Sequence, residues 1–508
     1  MHYRLSGATA LALILSVQTY GGAALALTPE EAWASWQTMS AAAGQTLVAA
    51  GTARNGDTLV VSGISMDMNV PDGPVITATM PEVGFRDLGD GSVEIAYPAS
   101  YDVKLSASGG TGDGSSATLV VGQEEMKVIA SGTADAPKFD YSARTVTVTA
   151  KDVTDAAGKP QDVTGALTIS GLTGSYVAAP ASGGQSYDTS FSAASMALTA
   201  KGSESEQQTA FDVSLTVAEP KFGGKSTMVA PALMQAGNMS AALAAGFMLD
   251  GSYSTGAIAL TVDGSESGKP GHVEVGLAGT TAHVKLDAQR MDYAVGVTGG
   301  KVNATGFDMP MPMVEGAFGE IAYGVAMPVA KATEPSDFSA LFKMVDLTMS
   351  EDLWNMFDPG AALKRDPVSV ILDLDGTGAW AVDILDPAVQ MEGPELPVKL
   401  FSLNLTQVLA KAAGAQVAAT GALTFDNGNL ASYGGFPAPE GKVVVTMDGI
   451  NALMDALVAI GVVSQDDVMG ARMGLAMMAK PGAEPDQLVS EIEFKAGGSL
   501  FVNGVQMQ

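Results

Sequence analysis

The chain has 508 residues, 26 basic against 55 acidic, no cysteine, 47% hydrophobic residues and 60 glycines. The net charge of −29 repels nucleic acid and anionic headgroups. The lack of cysteine excludes disulfides, thiolate metal sites and a lipid-modified cysteine. The hydrophobic content is that of a folded chain, and few charges with many glycines favour short strands and turns over long surface helices.

The first 26 residues read as a signal peptide. Arg4 precedes an uncharged apolar run over 5–17, and Ala24-Leu25-Ala26 supplies the small-x-small pattern of a signal peptidase site, with cleavage before Leu27. A retained anchor is the alternative, but the run falls short of the roughly 20 residues that span a bilayer. The expected compartment is the periplasm, with membrane association left open. Cleavage removes Arg4 and leaves 25 basic against 55 acidic residues, a net charge of −30. The remaining 482 residues exceed the roughly 250–300 at which a single core stops growing, so two lobes are expected.

Thr28, Pro29 and Glu31 mark a helix start by cap, first-turn proline and capping-box partner. Ala32, Trp33, Trp36, Met39 and Ala43 continue it as one apolar stripe to about residue 43, read as a packing face rather than a binding handle. After Gly51 the period changes to two. Residues 59–61, 93–97, 146–149 and 211–217 read as strands. Asn-Gly begins at 55, 427 and 503, and Asp-Gly at 72, 90, 113, 250, 263, 375 and 448. These ten pairs predict hairpin turns and an antiparallel meander.

A boundary is expected near 218–226, giving an N-terminal β-rich lobe over 27–225 and a methionine-rich β lobe with inserted helices over 226–508. Of 27 methionines, 20 follow Lys225. Residues 228–249 carry no charge, but Pro231, Gln235, Asn238 and Ser240 favour a half-buried helix near 231–247 over a membrane span. Strands resume at 272–275 and 284–287. Residues 336–349 read as partly helical, followed by a short helix capped by Ser350 and stopped at Asp358-Pro359. A strand block follows over 368–384, then strands at 421–425 and 442–447. A helical pair is predicted at 450–460 and 466–478, then terminal hairpins ending at Asn503-Gly504. Thr164-Gly165-Ala166-Leu167-Thr168 recurs at 420–424, a repeat too short to establish duplication. The expected architecture is mainly β with a few helices: elongated, curved, mostly antiparallel sheet in two lobes, with an apolar groove as one outcome.

No constellation carries enzyme chemistry. Leu372-Asp373-Leu374-Asp375-Gly376-Thr377 resembles the nucleophile motif of haloacid-dehalogenase phosphatases. That chemistry belongs after a buried parallel strand, whereas here Asp375-Gly376 is expected to turn a hairpin into a second strand over 379–384. His272 and His283, with Glu274 or Asp287, do not make a metal-ligand motif. Paired acids at Glu30-Glu31, Glu351-Asp352 and Asp466-Asp467 sit at helix starts, where the dipole accounts for them. No cofactor or metal site is expected.

Several blocks carry a family likeness. They are Trp354 to Pro359, Arg365-Asp366-Pro367, Leu372 to Gly376, Gly421 to Asn427, Gly434 to Pro437, Met469 to Met473 and Val502-Asn503-Gly504. With the signal peptide and the Thr28-Pro29-Glu30-Glu31 start, the chain resembles the alphaproteobacterial family catalogued as domain of unknown function 2125. That resemblance implies neither an activity nor catalytic residues. At the level of fold the chain is also similar to AsmA-like envelope proteins, which implies a long curved sheet with an apolar groove and a link to lipid traffic. The expectation is a non-enzymatic envelope protein that holds or passes an apolar ligand such as lipid. Met309, Met311, Met313, Met327 and Met344 are the groove candidates, since methionine fits variable apolar partners. A structural module binding an envelope protein through a sheet edge is the alternative. An outer-membrane barrel fits less well with 6% aromatic residues and interrupting helices.

Overall fold

A computed structural model describes residues 27–42, 45–69, 73–108, 114–204, 209–230, 233, 237–307, 309, 311–389 and 397–507. Ala24 and Ala26 of the expected cleavage site lie outside them. The described residues form 28 strands and five helices. The chain divides into two compact units, one of residues up to Met228 with Tyr253–His272, the other of Val229–Ser252 with Val273–Gln508. The sequence suggests one crossing after Lys225; the chain instead crosses at 228/229, 252/253 and 272/273. The return has a pairing cause: 258–265 zip antiparallel onto 210–217 of the first unit.

The first unit opens with helix Pro29–Ala42. Its capping box forms as the sequence requires: Thr28 Oγ1 accepts from Glu31 N at 3.2 Å, and the Glu31 carboxylate accepts from Thr28 N at 2.8 Å. Leu27 and Ala32 are both buried and belong to one cluster, in the positions of a hydrophobic staple. Trp33 and Trp36 meet edge to face at 5.7 Å and pack on Phe85 at 5.9 and 6.1 Å. They are core residues, together with Val61, Val83, Val93 and Ile95.

The strands are long rather than short: Asp162–Ala181 has 20 residues and Pro137–Thr154 has 18. Each changes partner part-way. Residues 162–170 pair with 195–203, and 173–181 with 184–192. In Val75–Asp87, residues 75–79 pair with 104–108 and 84–87 with 93–96. Pro81, which has no N–H to give a ladder, sits at this change. Two glycines mark the same line, Gly63 at φ +59° and Gly171 at φ +62°. A Cβ on Gly63 would lie 2.7 Å from Ala50 Cβ. Gly63→Ala is therefore expected to destabilise by about 2 kcal/mol, from left-handed strain plus the clash. The check is a lower urea midpoint at unchanged m-value.

In the second unit, the helix expected near 231–247 falls partly outside the described residues; within them Met239–Ala244 is helical, capped by Asn238 Oδ1, which accepts from Ala241 N at 2.9 Å. Gly237 and Gly246, both at positive φ, bound it, and the strand Met248–Thr255 follows at once. Two other expectations are corrected. Residues 336–349 are not helical: Ser336–Met349 is a strand, paired on both sides. Helix begins only at Glu351–Asn355, and Ser350 makes no side-chain cap. Asp375-Gly376 turns no hairpin. It lies inside the strand Val368–Trp380, opposite Ser339 and Phe338 on one side and Asn404 and Leu403 on the other. The expected second strand over 379–384 ends at Trp380. Asp-Gly at 250 and 263 is likewise inside strands, whereas Asn-Gly at 55, 427 and 503 does turn. The helical pair is present as Ile450–Ala459 and Gln465–Met478, with Ser464 and Asp467 forming a capping box. Every strand pairing in the Arg290–Lys495 ladder is antiparallel. No helix of the described residues is long and apolar enough to cross a membrane.

Candidate functional site

Antiparallel partners place their side chains on the same face, so the register of the second unit shows what each face carries. One row runs Val295, Tyr323, Phe342, Leu372, Val408, Ala419, Val445 and Ser490 across eight strands. Two residues along, a second runs Val297, Ile321, Met344, Val370, Ala410, Val417, Met447 and Leu488. A third contains Tyr293, Val325, Ala340, Leu374, Leu405, Gly421, Val443 and Ile492, ending at Val502. The rows hold no charged residue. Strand spacing makes them about 34 Å long, and the two-residue step makes the three together about 14 Å wide.

The opposite face carries the charged and hydrogen-bonded pairs, set among apolar residues such as Ile371 and Leu409. Asp375 accepts from Asn404 Nδ2 and Thr406 Oγ1, both at 2.7 Å. Lys442 pairs with Glu491 at 2.8 Å and Lys343 with Glu320 at 3.5 Å.

Apart from its end at Ser490, which is 5% exposed and donates to the Met478 carbonyl at 2.7 Å, the apolar face is not buried. Of the apolar residues in the three rows, only Val502 is buried. Tyr323 is 47% exposed, Phe342 40% and Leu372 38%. The described residues form three buried hydrophobic clusters, and none contains a residue of these rows. An apolar sheet face normally disappears into a core; a contiguous open one marks an interaction surface. The first unit has an apolar row of its own, but a partly covered one: Val148 is 8% exposed and Leu167 packs against a buried cluster. Tyr101, Val121, Val148, Leu167, Leu198, Leu215 and Leu260 make one row. Its other face carries the ion pairs Lys151–Asp102 at 3.1 Å and Lys201–Asp212 at 2.6 Å.

The five candidate methionines are all half-buried. Met344 lies in the second apolar row. Met327, opposite Met291, extends the same face by one step. Met313 starts the strand Met313–Pro328 opposite Thr305, and Met309 and Met311 precede it in the connection, so the five do not form one lining. Sequence reading missed Tyr323, Phe342, Leu372 and Leu374. Their alternation with Lys343 and Asp373 was the available signal.

The polar candidates are held by local partners. Asp375 is kept below the usual carboxylate range by the Asn404 and Thr406 hydrogen bonds. A depressed folded pKa adds stability above the unfolded value that disappears as pH falls through the folded one. Asn404→Ala with Thr406→Ala should therefore lower the melting temperature at pH 7, with the gap to wild type closing below about pH 4. His272 Nδ1 lies 2.8 Å from Asp263 Oδ1, and His283 sits opposite Ala294 in the ladder. Among the described residues no three His, Asp or Glu side chains converge as a metal site.

The block from Trp354 to Arg365 closes as a clasp. Asp358 is fully buried. Its carboxylate accepts from Ala362 N at 3.0 Å, Leu363 N at 2.9 Å and Arg365 Nη1 at 2.6 Å. The guanidinium stacks 4.7 Å over Trp354 and donates to the Asp358 carbonyl at 3.0 Å. Burial pushes the Asp358 pKa up, but the two backbone N–H groups and Arg365 outweigh it and hold it below its ordinary value.

No curated protein and no solved structure matches the chain. A family match does exist, over a region that takes in the clasp and most strands of the open face. Residues 323–507, well under half of the chain, match the family described as an uncharacterized protein conserved in bacteria (DUF2125), and it is this C-terminal region that is similar to that family.

Proposed function

We propose that the protein is a non-enzymatic envelope protein that holds or passes lipid by its acyl chains. The observation that carries this reading is the set of three charge-free rows left partly exposed across most of the sheet. Aliphatic and aromatic side chains at partial exposure suit methylene chains, each buried CH₂ contributing about 0.8 kcal/mol. The absence of charge along the rows disfavours headgroups and polar peptides there. Displacement of a fluorescent fatty acid from the purified mature protein is the test. Saturable binding competed by phospholipid supports the reading. No binding, with a cooperative unfolding transition indifferent to lipid, leaves a structural module instead.

Export completes the proposal. Arg4, the apolar run and Ala24-x-Ala26 support cleavage before Leu27 and a periplasmic location. Leu27 is 2% exposed in the folded chain. Cleavage must therefore precede folding of helix Pro29–Ala42. N-terminal sequencing of protein from the envelope fraction should begin at Leu27 or within about two residues of it; soluble cytoplasmic protein retaining Met1 would contradict this.

A further inference from the structure

Helix Gln465–Met478 carries Met469, Met473 and Met477 one turn apart, at 58%, 65% and 74% exposure. The rest of the helix is tied down. Val468 is buried. Arg472 donates to Asn451 Oδ1 at 3.1 Å, the Asn451 carbonyl at 3.0 Å and Asp455 at 2.8 Å. At the far end the Met478 carbonyl accepts from Ser490 Oγ at 2.7 Å and Asn503 Nδ2 at 2.9 Å. With no cysteine, thioethers are the chain's only sulfur.

We propose that this methionine face is an oxidation site for hypohalous acids, a patch whose polarity is set by redox chemistry. In the step with hypochlorous acid, the thioether sulfur gains an S–O bond and is oxidised by two electrons. The oxidant's O–Cl bond breaks, chlorine leaves as chloride and one proton is released. Reduction by a methionine sulfoxide reductase with a dithiol returns the thioether, giving water and a disulfide of the reductant. Each sulfoxide places a strong dipole where an apolar group stood. Three on one helix face convert it from apolar to polar. The hydrogen bonds that hold the helix involve none of the three side chains, so the fold should survive. Met327, Met344 and Met447 are half-buried on the sheet and react later. Met356 at 67%, Met507 at 49%, Met478 at 48% and Met228 at 44% exposure are also open, but they lie off this stripe and each adds a single oxygen elsewhere.

The test is a hypochlorite titration of the full mature chain, read by peptide mapping and by retention on a hydrophobic-interaction column. Met469, Met473 and Met477 should gain oxygen before Met327, Met344 and Met447. Retention should fall, the unfolding transition should stay cooperative, and reductase should restore retention. In Met469→Leu/Met473→Leu/Met477→Leu the drop in retention should largely vanish. Uniform oxidation across all methionines would overturn the proposal, as would a full retention shift in the triple variant or loss of the unfolding transition at the dose that oxidises the face. If the triple variant does not fold, the order of oxidation in the unaltered chain decides.

Discussion

Leu372→Glu is expected to weaken acyl-lipid binding by tenfold or more while leaving the melting temperature within a few degrees of wild type. Leu372 stands in the first apolar row between Phe342 and Val408, and its side chain is 38% exposed. Losing its contact with a chain removes about 1.5–3 kcal/mol, and a carboxylate on the track adds the cost of desolvating a charge. A tenfold change in affinity needs only about 1.4 kcal/mol. The fold is spared because in the unliganded protein the glutamate reaches water. Asp373→Asn is the control: it lies one residue along the strand and faces the other way, so binding should not change. The same control bears on the phosphatase-like motif. Magnesium-dependent turnover of a phosphate ester, abolished by Asp373→Asn, would overturn the non-enzymatic reading.

Asp358→Ala should have the largest effect on stability, lowering the melting temperature by about 10 °C at pH 7. The substitution leaves two backbone N–H groups without an acceptor and the Arg365 guanidinium with the main-chain carbonyl but without this carboxylate, in a site where Asp358 itself has no exposure. The pH dependence has a definite sign. Because the folded pKa is depressed, the carboxylate's contribution is present above the unfolded value near 3.9 and disappears as pH falls through the folded one. The gap between wild type and variant should thus be full at neutral pH and shrink in acid. Arg365→Met on the Asp358→Ala background should recover part of the loss, since removing both partners costs less than stranding one. Thermal scans from pH 7 to pH 3 read all three expectations.

Local chemistry was legible in the sequence wherever a few neighbouring residues decide the structure. The Thr28–Glu31 capping box, the helical pair bounded by Gly461 and Ser464, and the Asn-Gly turns need no distant partner. The errors fall where the partner is remote. Ser336–Met349 has enough leucine, methionine and alanine to suggest helix. Pairing with Met313–Pro328 and Val368–Trp380 overrides that propensity and uses the alternation of Phe338, Ala340, Phe342 and Met344. Asp375-Gly376 has the composition of a turn, yet the glycine is there for close approach: a Cβ would lie 2.8 Å from the Phe338 ring. The partner changes at Pro81 and Gly171 depend on which strand arrives from elsewhere in the chain. The methionine skew pointed to the C-terminal half but not to the site, whose rows are mostly valine, leucine and aromatic residues. That the face stays partly exposed is a tertiary fact, since an alternating strand looks the same whether its apolar side meets a core or a ligand.

The central claim is that lipid chains lie on one face of the second unit's sheet, and photo-crosslinking from adjacent positions tests it most directly. A benzophenone amino acid placed at Phe342 or at Lys343 points to opposite faces of the same strand. Each variant is exported in cells, irradiated, purified and analysed by mass spectrometry for covalent acyl lipid. The account predicts lipid adducts from position 342 and essentially none from position 343. Equal labelling at both positions, or no lipid at either in folded and exported protein, would contradict it.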